Sequence, residues 1–203
     1  MAHNFNVDEI RKPKPTVYGV GVYERGDWVC SINNKTTKEY NLWIYMLKRC
    51  YDKRYKETRP TYLDCCVGAN FLNFQYFAEW CNNQMGFNLP DYQLDKDILV
   101  KGNKVYSEDT CAFVPRQVNA LLIDSKKRRG EYPVGVNYDK SSGKYKAQIR
   151  KYGKNHHIGL YSSPEEACAA YKTAKKDYTK DLICLYRDVL DDRVYKALFS
   201  WEY

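Results

Sequence analysis

Between Lys144 and Arg150 every second residue could hold a phosphate or read a base: Lys144, Lys146, Gln148 and Arg150 alternate with Tyr145, Ala147 and Ile149. Successive side chains on an extended strand point to opposite faces, so this spacing predicts one basic, amide-bearing face and one apolar face. Lysine and arginine neutralise phosphates, and a glutamine or asparagine amide offers a donor and an acceptor to base edges. Asn137 and Tyr138 on the preceding strand, with Asn155 and His157 on the next, extend the same candidate surface. The chain as a whole carries 33 Lys and Arg against 25 Asp and Glu, a net charge of +8, so the cations are in excess of what internal pairing consumes.

Such a face has to be held flat against something. The strand patterns YPVGVNY, KYKAQIRKY and HHIGLY follow in quick succession from residue 132. Ser163 and Glu166 then form a capping box around Pro164, and Ala167, Ala170, Tyr171, Ala174 and Tyr178 mark one side of a long helix. A short final helix at about 189–201 carries Leu190, Val194 and Leu198. Upstream, residues 92–122 read as a strand at 92–99 bearing acidic residues, a polar turn, a second strand near 111–114 and a helix from Pro115. Nearer the start, VYGVGVY and WVCSI flank ERGD as a hairpin, and Thr36 with Glu39 suggests the capping box of a helix carrying Tyr40, Trp43, Leu47 and Cys50. A second aromatic helix, about 71–85, turns Phe74, Phe77, Ala78 and Cys81 to a core.

The expected class is α+β: an N-terminal hairpin plus helices with a β-loop-β-α unit, then a three-stranded antiparallel sheet packed on one long helix. Residues 1–16 read as a flexible arm, 17–123 as the first domain, the charged run 124–131 as a linker and 132–203 as the second domain. No stretch approaches the ~18–20 apolar residues of a membrane span, and MAHNFNVDEIRKPKP has no apolar core of a secretory signal, so a cytoplasmic location is expected. The eight cysteines include no CxxC pair and histidines number three, so reduced thiols and no zinc are expected. GxxxxGK[ST], GxGxxG, GxSxG and HExxH patterns are all missing, which leaves no support for nucleotide hydrolysis, a small-molecule redox cofactor, or serine or zinc hydrolysis.

Gly135-Val136, GKYKAQIR (143–150) and IGLYSSPEEACAAYKTAKKDY (158–178), in that order, resemble the ethylene-response-factor (Apetala) type DNA-binding domain across nearly all of 132–180. The resemblance implies a sheet docked in the major groove of double-stranded DNA through Asn137, Lys146, Gln148, Arg150, Asn155 and His157. The arginine-rich first strand and the tryptophans of the plant pattern are missing, so their sequence preference does not carry over.

Residues 94–119 resemble the HNH (ββα-metal) endonuclease motif of phage proteins that join it to this same DNA-binding domain, and YNLWIYMLKRCYD and LDKDILVKGNKVYS share that wording. The resemblance implies a metal ligand at Asp95, a loop-shaping residue at Asn103 and a second ligand at Asn119, a donor pair suited to Mg²⁺ or to Mn²⁺ in its place. Lys96 stands where the family has its histidine base, and an ammonium titrating near ~10.4 does not accept a proton at neutral pH. Asp97 could substitute, although alternation points it away from Asp95.

Three readings follow. The first is a phage-type, Mg-dependent homing or nicking endonuclease, monomeric by default, acting in a bacterial host cell. The second is a DNA-binding repressor or accessory factor whose nuclease unit is inactive. The third is an interaction module whose basic face meets an acidic protein partner.

Overall fold

The computed structural model describes residues 16–122 and 131–201. The arm expected at 1–16 lies outside the described residues but for Thr16, and the linker expected at 124–131 but for Glu131. In chain order the elements are β1 (Thr16–Val17), β2 (Gly21–Val22), β3 (Ser31–Ile32), β4 (Lys35–Thr36), α1 (Lys38–Tyr51), α2 (Lys53–Thr58), β5 (Cys66–Val67) and α3 (Phe74–Asn82). They continue as β6 (Tyr92–Asp95), β7 (Val105–Tyr106), β8 (Ala112–Pro115), α4 (Arg116–Leu122), β9 (Val136–Asp139), β10 (Lys144–Lys151), β11 (Lys154–Tyr161), α5 (Pro164–Leu185) and α6 (Asp192–Phe199). No helix among the described residues is long and apolar enough to cross a membrane.

Two compact units result. The first runs to Gln84 and takes in Gly102–Cys111. Its centre is aromatic: Trp43, Leu47 and Cys50 of α1 meet Phe74, Phe77, Ala78 and Cys81 of α3, all buried, as their helical spacing predicts. The Trp43 ring lies 5.5 Å from that of Phe74, and its indole N–H donates to the carbonyl of Phe71 at 2.8 Å, so the one polar atom of the largest core residue is satisfied. The single hairpin expected around ERGD is replaced by two smaller ones, β1 with β2 and β3 with β4. Turn chemistry is the reason. Tyr18 and Gly19 adopt positive φ and reverse the chain within the first apolar run, while Asn33 and Asn34, at φ 49° and 60°, make the tight turn of the second. The cap of α1 is Thr37 rather than Thr36: its side chain accepts from the N–H of Tyr40.

The second unit comprises Met85–Lys101 and the residues from Ala112 onward. Segments 85–101 and 112–122 therefore cluster with the C-terminal elements, because Ile98, Ala112, Val114, Val118 and Leu121 share one core with Ile149, Tyr178, Leu182, Leu190, Val194 and Leu198. Strands β9, β10 and β11 form the antiparallel sheet, β10 at its centre, packed against α5. Ser163 caps α5 by accepting from the N–H of Glu166, with Pro164 in the first turn, as its sequence pattern predicts. Gly135, at φ +76°, leads into β9; a Cβ there would lie 2.1 Å from the Tyr171 ring, so only glycine lets this strand close onto the helix.

Candidate nucleic-acid interface

The register of the sheet decides which side chains share a face. Lys144 pairs with Asp139, Lys146 with Asn137 and Leu160, Gln148 with His157, and Arg150 with Asn155. Cross-strand partners lie on the same side of a sheet, so Lys144, Lys146, Gln148, Arg150, Asn137, Asn155 and His157 come together on one face. The opposite face of β10 supplies Ala147 and Ile149, both buried toward α5.

A bulge makes this possible. Ala147 pairs with Gly159 but Gln148 pairs with His157, so Ile158 is skipped in the ladder. With no extra residue, strict alternation would turn His157 and Asn155 to the helix side; the one-residue slip returns them to the basic row.

Tyr138 is a correction. It pairs with Tyr145, and the rings of Tyr132, Tyr138 and Tyr145 cluster at centroid separations of 5.3–6.5 Å on the other face. Asn137 and Tyr138 are adjacent on one strand, so they cannot both join the basic row. Leu160, exposed and opposite Lys146, takes the place on that face that the sequence reading left out. The signal was present in the register, since an apolar residue two positions from the bulge falls among the cations and can meet a thymine methyl.

Electrostatically the face is positive and open. Lys144, Arg150, Asn137, Asn155 and His157 are exposed, while Lys146 and Gln148 are half-buried. The Arg150 Nε–H donates to the carbonyl of Gly153 at 3.1 Å, which fixes the stem of the guanidinium at the β10–β11 turn. Asp139 is the one carboxylate in register with the row. Hydroxyl donation from Ser142 and Ser141 holds its carboxyl below the ordinary range and orients it into the β9–β10 turn.

The carboxylate-rich strand upstream is built differently from the expected one. β6 ends at Asp95, where the sequence pattern predicts a strand to residue 99. Asp95 Oδ1 accepts the N–H groups of Asp97 and Ile98, each at 2.7 Å, and this Asx turn bends the chain out of the sheet. Alternation therefore stops at Asp95 and says nothing of where Asp97 points. Asp97 accepts instead from the ammonium of Lys96, whose side chain is 8% exposed. Withdrawal from water pushes the Asp95 carboxyl above its ordinary range, against the opposing pull of the two N–H donors.

Asn119 lies on α4, where its amide N–H donates to Gln93 Oε1 at 2.9 Å. Asn103 belongs to the first unit. There its side chain donates to the Val105 carbonyl and accepts the Val105 N–H, so it shapes its own turn. A Mg²⁺ ion would find one carboxylate with Oδ1 tied to two backbone N–H groups, and one amide whose bond to Gln93 runs through its nitrogen and not through the oxygen a metal would take. Beside them Lys96 is paired with Asp97, so an ammonium–carboxylate pair stands where the family motif has its histidine base. Among the described residues no three His, Cys, Asp or Glu side chains gather as a metal cluster.

Comparison of the chain with protein-family models, with curated proteins and with solved structures returns no match.

Proposed function

We propose that this chain is a double-stranded DNA-binding protein that lays the β9–β10–β11 face into the major groove and uses the β6–β8–α4 unit as a scaffold for that sheet rather than as a working nuclease. One observation carries the reading: the sheet register, with the bulge at Ile158 returning Asn155 and His157 to the row, gathers three cations, three side-chain amides and an imidazole onto one open sheet face. Strands spaced about 4.8 Å apart put the two outer strands of three roughly 10 Å apart, against a major groove about 12 Å wide. Lys144, Lys146 and Arg150 then meet phosphates and guanine edges, while Gln148, Asn137 and Asn155 pair with adenine edges. The resemblance to the ethylene-response-factor domain points to the same face. The scaffold role is supported by the core that Ile98, Val114 and Val118 share with α5 and α6, and by the use of Asp95 as a turn-former.

The test is to incubate the full chain with supercoiled plasmid and with a randomised duplex library, in Mg²⁺, in Mn²⁺ and in chelator. Enrichment of bound duplexes with plasmid left intact in every condition is the expected result. Metal-dependent nicking that disappears in Asp95→Asn would replace the scaffold reading with an active endonuclease.

A further inference from the structure

A second basic surface lies in the first unit, far along the sequence from the sheet. Between Lys48 and Arg59 the chain carries Lys48, Arg49, Lys53, Arg54, Lys56 and Arg59 against Asp52 and Glu57, with Tyr51 and Tyr55 interleaved and Tyr62 following. Among the described residues none of these six cations forms an ion pair. Three of them, Lys48, Arg49 and Lys56, meet rings, a hydroxyl and a carbonyl. The Lys48 ammonium sits 5.8 Å from the Tyr55 ring centroid and the Arg49 guanidinium 5.7 Å from that of Tyr62, and these two rings pack together at 5.9 Å. Arg49 also donates to the Tyr106 hydroxyl at 3.4 Å, and Lys56 to the Leu63 carbonyl at 2.9 Å.

Asp52, the one acid between the end of α1 and the start of α2, is occupied as the cap of α2 by the N–H of Tyr55. Tyrosine rings, a tyrosine hydroxyl and a carbonyl oxygen fix the stems of Lys48, Arg49 and Lys56 without cancelling their charge, and Lys53, Arg54 and Arg59 are exposed around them. A surface that only needed solubility would mix both signs; this one concentrates positive charge on a rigid aromatic base.

We propose that the end of α1, α2 and the turn to Tyr62 form a second DNA contact that grips the sugar-phosphate backbone without reading sequence, with Lys53, Arg54 and Arg59 at the phosphates. The proposal stands independently of the sheet assignment.

The test compares salt dependence of duplex binding for the full chain and for two triple variants that remove the same net charge. One is Lys53→Gln, Arg54→Gln, Arg59→Gln; the other is Lys172→Gln, Lys176→Gln, Lys180→Gln on exposed positions of α5. Losing three phosphate contacts lowers the slope of log affinity against log salt by about 2.7, so the affinity lost between 50 and 200 mM salt shrinks about fortyfold. Such a change in the first variant and not in the second supports the contact. A slope in the first variant equal to that of the unsubstituted chain, or equal to that of the α5 variant, would overturn it. Circular dichroism melts establish that both variants are folded. A chain whose sheet variants bind normally while this variant loses its slope would remove the sheet reading and leave this one standing.

Discussion

Replacing Asp95 by Ala and by Asn isolates the turn that its side chain builds. Its Oδ1 accepts two backbone N–H groups at 2.7 Å each, from Asp97 and Ile98. Asp95→Ala leaves both donors without that acceptor, and at about 1 kcal/mol for each half-buried hydrogen bond the cost is roughly 2 kcal/mol. For a unit of this size that is a fall in Tm of about 8 °C. Asp95→Asn keeps a side-chain oxygen in place, so the turn is retained and the fall in melting temperature is avoided. The pH dependence sharpens the contrast. Burial raises the folded-state pKa of Asp95 above its unfolded value of about 3.9, so the folded chain holds this proton more tightly. The contribution of this group is therefore fully present below the unfolded value, and is lost as pH rises through the raised folded value. Asp95→Asn has no such loss, and its stability relative to the original chain improves over that window. Urea or thermal unfolding from pH 3.5 to 7 reads both effects. Equal destabilisation by Asn and Ala would refute the turn-forming role, and an Asn variant that loses stability relative to the original chain as pH rises would refute the raised carboxyl.

Tyr138→Ala breaks a three-ring cluster on the helix side of the sheet and should cost about 1 kcal/mol while leaving duplex affinity unchanged; a loss of affinity with unchanged stability would return Tyr138 to the interface. Trp43→Ala empties the centre of the first unit and strips the Phe71 carbonyl of its donor, so a loss of about 3–5 kcal/mol is expected in denaturant unfolding. Thiol labelling of the native chain should modify the exposed Cys66 and Cys184 rapidly, and leave Cys50, Cys81 and Cys111 unmodified until the protein unfolds. Cys81 is doubly protected, since burial, followed by the nearby Glu39, pushes its thiol pKa up and keeps it out of the reactive thiolate form.

The elements that bury a wide apolar stripe were legible from the sequence. Helices α1, α3 and α5 follow from side chains at helical spacing, and β10 from its strict alternation, because burial and periodicity there are the same signal. What the sequence hid lies where one backbone turn overrides a pattern. Tyr18 in a left-handed conformation splits an apolar run that reads as a single strand. The Asx turn at Asp95 ends a strand four residues early. The unit boundary is hidden for a different reason, since Ile98 and Val114 find their partners on helices more than 60 residues away in the chain. In the candidate interface, the basic row of β10 was visible as residue types. Whether Asn155 and His157 join it depends on the bulge at Ile158, which no local composition announces. Tyr138 was decidable from alternation alone, as the immediate neighbour of Asn137.

The most direct test of the account is the affinity of the full chain for duplex DNA over 50–200 mM salt, measured by fluorescence anisotropy beside the variant Lys146→Ala, Gln148→Ala, Arg150→Ala. A bidentate base contact is worth ~1–3 kcal/mol, so losing the Gln148 and Arg150 contacts with the Lys146 charge should weaken binding about a hundredfold and lower the salt slope by about 1.8. Unchanged affinity and slope in a folded triple variant would contradict the assignment of β9–β11 as the DNA-binding face.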